Sequence, residues 1–313
     1  MLRLIGRRLV ESVPLMIVVC AITFLLVQLI PGSPAATILG NQATPEAIAR
    51  LEQEMGLDRP PLEQLFVWFG QVLTGDLGNS LLTGSDVNEV VASRMPITMS
   101  LAIIACLLSA VLGIWVGVVA ATRGGLLDRI LTTGSGVGLA LPTFWLAVVL
   151  VLVFSIWLRW LPATGYTPFL TDPVAWLVHL VLPLTALCLI QVAAVARQTR
   201  VAMRDELDRP YIRSLRAVGV PRRSVVWKHA LRNAAIPVCT TLGLQFIGVL
   251  GGAVVIEQVF ALGGVGALTV EAASAHDIPT IQGVVIYSTA AVIAVNLVVD
   301  ILTYALSPKA RVS

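Results

Sequence analysis

The chain has 313 residues, of which 57% are hydrophobic and 12% charged, with a formal net charge of +3. Soluble domains average about 25% charged residues, so this balance excludes a fold closed in water and points to a polytopic membrane protein. The four cysteines, Cys20, Cys106, Cys188 and Cys239, lie far apart in apolar runs, which excludes a C-x-x-C or Cys/His zinc cluster.

Six apolar stretches are each long enough to cross a bilayer as a tilted helix. They are Leu9–Ile30, Ile97–Ala121, Ile130–Trp157, Trp176–Ala196, Ile236–Phe260 and Ile281–Leu306. The first follows Arg3, Arg7 and Arg8 but is longer than a signal-peptide core. It runs into Pro31-Gly32-Ser33-Pro34 rather than a small-residue cleavage site, so it reads as a span. Between the first two spans, Thr44 can cap a helix, Pro45 fits its first turn and Gly56 its end, and Leu62–Leu73 is an amphipathic segment with Trp68 and Phe69. A small helical subdomain on the outer face follows, serving either bundle packing or contact with a delivering partner. Pro14, Pro142, Pro183 and Pro237 fall within spans, where neighbours can satisfy freed carbonyls. The pairs Gly113/Gly117, Gly134/Gly138 and Gly248/Gly252 are spaced for close helix approach.

Lys and Arg divide unequally between the two sides. Seventeen fall on the side of the N-terminus, the second and fourth loops and the C-terminal tail, and four on the other. The positive-inside rule puts both termini and the 197–235 loop in the cytoplasm. The outer segment carries eight acidic residues against three basic ones. The inner loop, with ten Lys/Arg, reads as two short amphipathic helices joined at Gly219, with Pro221 opening the second. Such a loop can rest on anionic headgroups or dock a cytosolic protein, and the glycine–proline break favours docking.

Catalytic sets do not assemble. Neither lysine, Lys228 nor Lys309, follows a glycine, so no Gly-Lys-Ser/Thr phosphate cradle exists and any ATP must be bound by a partner. Ser135, in Thr133-Gly134-Ser135-Gly136, has no histidine placed to activate it, since His179 is at the outer end of the fourth span, His229 in the inner loop and His276 outside, and no H-E-x-x-H or mid-membrane aspartate pair is present. Glu11, Asp300 and Glu257 lie near span ends rather than at the midplane, which argues against a proton relay, and Glu11 and Asp300 are expected to snorkel or pair with cytoplasmic arginines. Gln191, Gln245 and Asn296 are intramembrane polar residues that either line a pathway or bond between helices.

Five or more short segments, in order, resemble the permease subunits of ABC peptide importers, in particular the B-type subunit of dipeptide and oligopeptide permeases. They include Arg7-Arg8-Leu9, Leu29-Ile30-Pro31-Gly32-Ser33-Pro34, Gly56-Leu57-Asp58-Arg59-Pro60 and Gly75-Asp76-Leu77-Gly78-Asn79-Ser80. The inner loop, with Tyr211, Arg216, Gly219, His229-Ala230-Leu231-Arg232-Asn233 and Pro237, is similar to the family's EAA-type coupling segment, although Leu215 stands at a usual alanine. Ile281-Gln282-Gly283, Asn296-Leu297 and Asp300-Ile301-Leu302 match the last span, and Ser307-Pro308-Lys309-Ala310-Arg311 resembles the usual Asp-Pro-Arg ending with substitutions.

The resemblance implies an all-α, six-span type I importer permease fold with a helical insertion after the first span. The expected organisation is 1–30 for the cytoplasmic N-terminus and first span, 31–96 for the extracytoplasmic segment, 97–306 for the core including the 197–235 coupling loop, and 307–313 for a cytoplasmic tail. It implies ATPase coupling through Tyr211, Arg213, Arg216, Ala217, Gly219, Arg222, Arg223, His229 and Leu231. It also implies an outer gate at Glu257, Phe260, Gly264 and Gly266, with Gly263 where proline is common. The expected partners are a related C-type permease chain, two cytosolic ABC ATPase subunits or domains that hold ATP and Mg, an extracytoplasmic substrate-binding protein and membrane lipid, with no nucleic acid and no cofactor in this chain. Nickel, glutathione or haem importers of the same family, a secondary carrier or channel, and an intramembrane hydrolase are the alternatives.

Overall fold

A computed structural model describes residues 2–29, 32–125, 128–129, 133–134 and 141–306, with side chains from residue 6. Ile30, Pro31, Ser135, Gly138 and the tail from Ser307 lie outside the described residues. In chain order the helices are α1 (Leu2–Gln28), α2 (Pro34–Leu39), α3 (Pro45–Glu54), α4 (Pro61–Leu73), α5 (Val87–Arg123), α6 (Thr143–Trp157), α7 (Pro173–Leu207), α8 (Pro210–Ala217), α9 (Arg222–Val259), α10 (Val265–Ser274) and α11 (Ile278–Leu306). Among the described residues the only β pairing is an isolated bridge between Asn79 and Asp86.

Among the described residues five helices, α1, α5, α7, α9 and α11, are long and apolar enough to cross a membrane. The third expected span appears as α6, 15 apolar residues ending in a wide π segment, Val151–Trp157; most of the stretch before it lies outside the described residues. Pro14, Pro183 and Pro237 lie inside helices as expected, and so does Pro96, because α5 begins well before Ile97. Pro142 does not: it precedes the first turn of α6, where its fixed φ and missing N–H cost least.

The chain forms two compact units. One comprises Met1–Ile97 and Gly263–Ile293. In it, α3 starts as its sequence dictates: Thr44 Oγ1 accepts from Ala47 N–H, Pro45 opens the helix, and Gly56 follows its end at φ +69°. Ser33 accepts from Ala36 N–H at the start of α2 and donates to Glu52 Oε1 at 2.6 Å, joining α2 to α3. Trp68 and Leu65 of α4 pack on Cys20 and Phe24 of α1. Asp277, buried just before α11, accepts from Ser80 Oγ, Leu81 N–H and Thr280 Oγ1, which ties the 79–86 turn to the head of the last long helix.

The other unit comprises Thr98–Leu262 and Ala294–Ser313. Its most extensive packing is α7 against α9, with α6 against both. Gly113 and Gly117 lie where α5 crosses α7: a Cβ at Gly117 would sit 2.6 Å from the Ala196 carbonyl oxygen, and one at Gly113 2.6 Å from Val195 Cβ. Only glycine permits that approach. Among the described residues, a Cβ at Gly248, Gly252 or Gly134 would meet nothing within 4 Å. Spacing makes a helix surface small; it does not supply a neighbour.

Candidate functional site

The inner loop is built from the ends of two long helices. The helix of the fourth span does not stop at Ala196 but continues to Leu207 as α7. The second of the two expected short helices is the beginning of α9, which passes from Arg222 through a π segment, Val225–Ala230, into Leu231–Val259. The breakers within residues 222–259 are Pro237 and the glycines Gly243, Gly248, Gly251 and Gly252, and a membrane helix accommodates both types. The loop therefore holds one free-standing helix, α8. Gly219 joins it to α9 at φ +84°, a conformation most side chains avoid.

α8 has two faces. Ile212 is buried, and Tyr211 and Leu215 pack beside it onto a cluster of Val118, Met203, Val225, Val226, Ala230 and Ala234. Leu215, at the usual alanine position, therefore fills space inside this unit. Arg213, Ser214, Arg216, Ala217, Gly219, Arg222 and Arg223 are exposed. Of the nine coupling candidates, Tyr211 and Leu231 pack inward, His229 is half-buried within the π segment, and the other six form the outward surface.

A polar knot that the sequence reading did not single out holds α8 in place. Glu206, buried near the end of α7, accepts from Tyr211 Oη at 2.6 Å and from Asn233 Nδ2 at 2.8 Å. Asn233 Nδ2 also donates to Tyr211 Oη at 3.2 Å, and Arg209 Nε pairs with the second carboxylate oxygen at 3.0 Å. One carboxylate thus ties α7, α8 and α9 together. Burial, and then the bond to Glu206, push the Tyr211 phenol above its ordinary pKa. In the sequence Glu206 is one of three acidic residues, with Asp205 and Asp208, among the ten basic ones of the loop, and nothing there sets it apart. A second tie lies nearby: Asp128 bonds both Arg200 and Arg204, and the Arg200 guanidinium holds its carboxyl below the usual carboxylate range.

The expected gate residues occupy tight surroundings. Glu257 is 0% exposed and accepts from the Thr98 hydroxyl. Phe260 is buried and its carbonyl accepts from Gly165 N–H. Gly264 precedes the first turn of α10, and Gly266 is buried in it. Gly263 adopts φ +68°, which a proline ring cannot reach. Gln191 is 7% exposed and accepts from Ser109 Oγ, while Gln245 Nε2 donates to the Gln191 carbonyl. Asn296 is exposed. Glu11 pairs with Arg7 on α1. Among the described residues no group of three or more His, Cys, Asp or Glu could hold a metal ion.

Comparison with known proteins covers the chain end to end. Residues 1–102 match the family model for the N-terminal part of binding-protein-dependent transport system membrane components. Residues 109–312 match that for binding-protein-dependent transport system inner membrane components. A "Putative peptide transport system permease protein" of Brucella abortus (strain 2308) is 42% identical over 312 residues, covering 99% of each chain. A "Probable peptide ABC transporter permease protein" of Sinorhizobium fredii is 37% identical, covering 97% of this chain and 98% of the relative. A glutathione transport system permease protein of Salmonella choleraesuis is 38% identical, covering 99% of each. In fold, the chain is similar to the inward-facing MetNI methionine ABC transporter, with a TM-score of 0.54 at 17% identity over 70% of this chain and 96% of that one.

Proposed function

The chain belongs to the inner-membrane components of binding-protein-dependent transport systems, and from that premise we propose that it forms half of the translocation pathway of an ATP-driven importer of short peptides. It is a multi-pass membrane permease with a type I ABC importer fold, a transport component. In the proposed assembly a related permease supplies the other half, two cytosolic ATPases bind ATP and Mg, and an extracytoplasmic protein delivers the cargo. The charge asymmetry of the loops supports an orientation with both termini and α8 in the cytoplasm.

The observation that carries the coupling role is α8, a helix with an arginine-rich outer face whose inner face is locked to two long helices through Glu206. A push on such a helix reaches both long helices instead of dissipating in a loose loop. ATP can drive the cycle only by binding one global conformation better than the other, and α8 is the element through which that preference reaches the spans. Peptide cargo rests on full-length relatives so named.

Glutathione is the second reading, supported by the 38% identical relatives. One experiment separates them: the chain, co-purified with its neighbouring subunits and placed in lipid, is assayed for ATPase activity with the binding protein and di- or tripeptides, or with glutathione. Stimulation that needs both binding protein and peptide supports the proposal. Stimulation by glutathione alone changes the cargo, and a chain that assembles with no ATPase overturns the importer reading.

A further inference from the structure

A cleft of about 320 Å³ opens beside α8, lined by Ala121 and Thr122 at the end of α5, Arg204 and Asp208 at the end of α7, Arg216 of α8, and Arg222 and Val226 of α9. Its size falls within the range of small-ligand sites, about 300–1,000 Å³. Three guanidinium groups stand against the Asp208 carboxylate and, through Arg204, that of Asp128, which leaves a net positive charge. Two are oriented by the protein: Arg222 Nη2 donates to the Thr122 carbonyl at 2.8 Å, and Arg204 Nη2 to Asp128 Oδ2 at 2.8 Å. Each guanidinium has further N–H groups in a rigid fork that matches phosphate oxygens. The cleft lies where the ends of α5 and α7 meet α8 and the start of α9.

We propose that this cleft binds a phosphate ester, the headgroup of an anionic phospholipid in the cytoplasmic leaflet or a soluble equivalent, and thereby holds α8 against the ends of α5 and α7. Arg216 is the one arginine of the cleft on the moving element, so a phosphate shared by Arg204, Arg216 and Arg222 bridges the coupling helix to the long helices. Occupancy then favours the arrangement of α8 described above, and the membrane's anionic lipid content sets how easily α8 moves. The inference rests on the cytoplasmic placement of this loop; its test needs neither ATPase nor binding protein, so its failure leaves the importer reading untouched.

The test is lipid retention by the full-length chain, titrated with phosphatidylglycerol or phosphatidylcholine and read by native mass spectrometry. The wild type should hold phosphatidylglycerol well above phosphatidylcholine. Arg216→Gln with Arg222→Gln should weaken that binding roughly twentyfold, at about fivefold per cationic side chain near an anionic surface. Arg213→Gln, on the same helix but outside the cleft, should leave it unchanged. Asp208→Asn should tighten binding a few-fold, which keeps the test decisive if the double variant misfolds. Displacement of the lipid by millimolar glycerol phosphate supports a site open to soluble esters, and resistance to it supports a lipid source. Equal losses in Arg213→Gln and the double variant, or equal retention of both lipids, would overturn the proposal and leave the cleft to an acidic side chain of the cytosolic partner.

Discussion

Glu206 shows how one side chain can set the behaviour of a loop. Burying a carboxylate is costly unless its lone pairs are answered, and here Tyr211, Asn233 and Arg209 answer them. Tyr211→Phe or Asn233→Ala should each cost about 1–3 kcal/mol by leaving it under-bonded. The two effects should fall short of additive, because both act on the same carboxylate. Limited proteolysis across residues 208–221, with peptide-stimulated ATPase activity, reads both. Because the phenol pKa is raised in the folded state, its contribution is fully present below the unfolded value of about 10 and is lost as pH climbs through the folded value. Protection of α8 should therefore be flat through neutral pH and fall only in strong alkali, with Tyr211→Phe abolishing that fall. A single sequence hid this residue: Glu206 reads as one more loop charge until α7 is seen to run past Ala196. Thr44 was legible for the opposite reason, since a cap is made with a residue three positions on.

Among the helices, backbone approach and backbone conformation decide what each glycine does. Gly117→Val should lower the thermal unfolding midpoint in detergent, since its Cβ would meet a main-chain oxygen that cannot move aside; overpacking of this kind costs about 1–3 kcal/mol. Gly252→Val, made in the same chain, should leave the midpoint unchanged. Both sites share the same sequence spacing, so pattern alone could not rank them; the neighbour across the helix pair does. Gly219 is a third case, with open space around it but φ +84°. A β-branched replacement costs about 1–2 kcal/mol there through conformation alone. Gly219→Val should insert normally and lose uptake, and normal uptake would remove the coupling role from this turn. The spans themselves were readable because apolar length is a bulk property. The division of the inner loop was not, because nothing in an amphipathic run marks where a short helix becomes the foot of a long one.

For the whole molecule, the bilayer is part of the fold. Only 6% of the most apolar 18-residue stretch of α11 is buried, and 17% for α1, so these helices present apolar surface that water would not tolerate. The orientation can be measured directly. Leu170→Cys and Val218→Cys place thiols at two highly exposed positions, one in the loop between α6 and α7 and one just after α8. A membrane-impermeant maleimide should label the first in intact cells and the second only after permeabilisation; the reverse pattern would invert the topology. The π segment at Val225–Ala230 bears on how force crosses that topology. Such a turn holds one residue more than an α turn, so the foot of α9 is out of phase with its membrane portion by about 100°. It behaves like a dislocation in a crystal. If the surplus residue migrates along the axis, the arginines at Arg222 and Arg223 rotate about the helix while the buried length beyond Leu231 stays still, and a stroke against α8 becomes a twist.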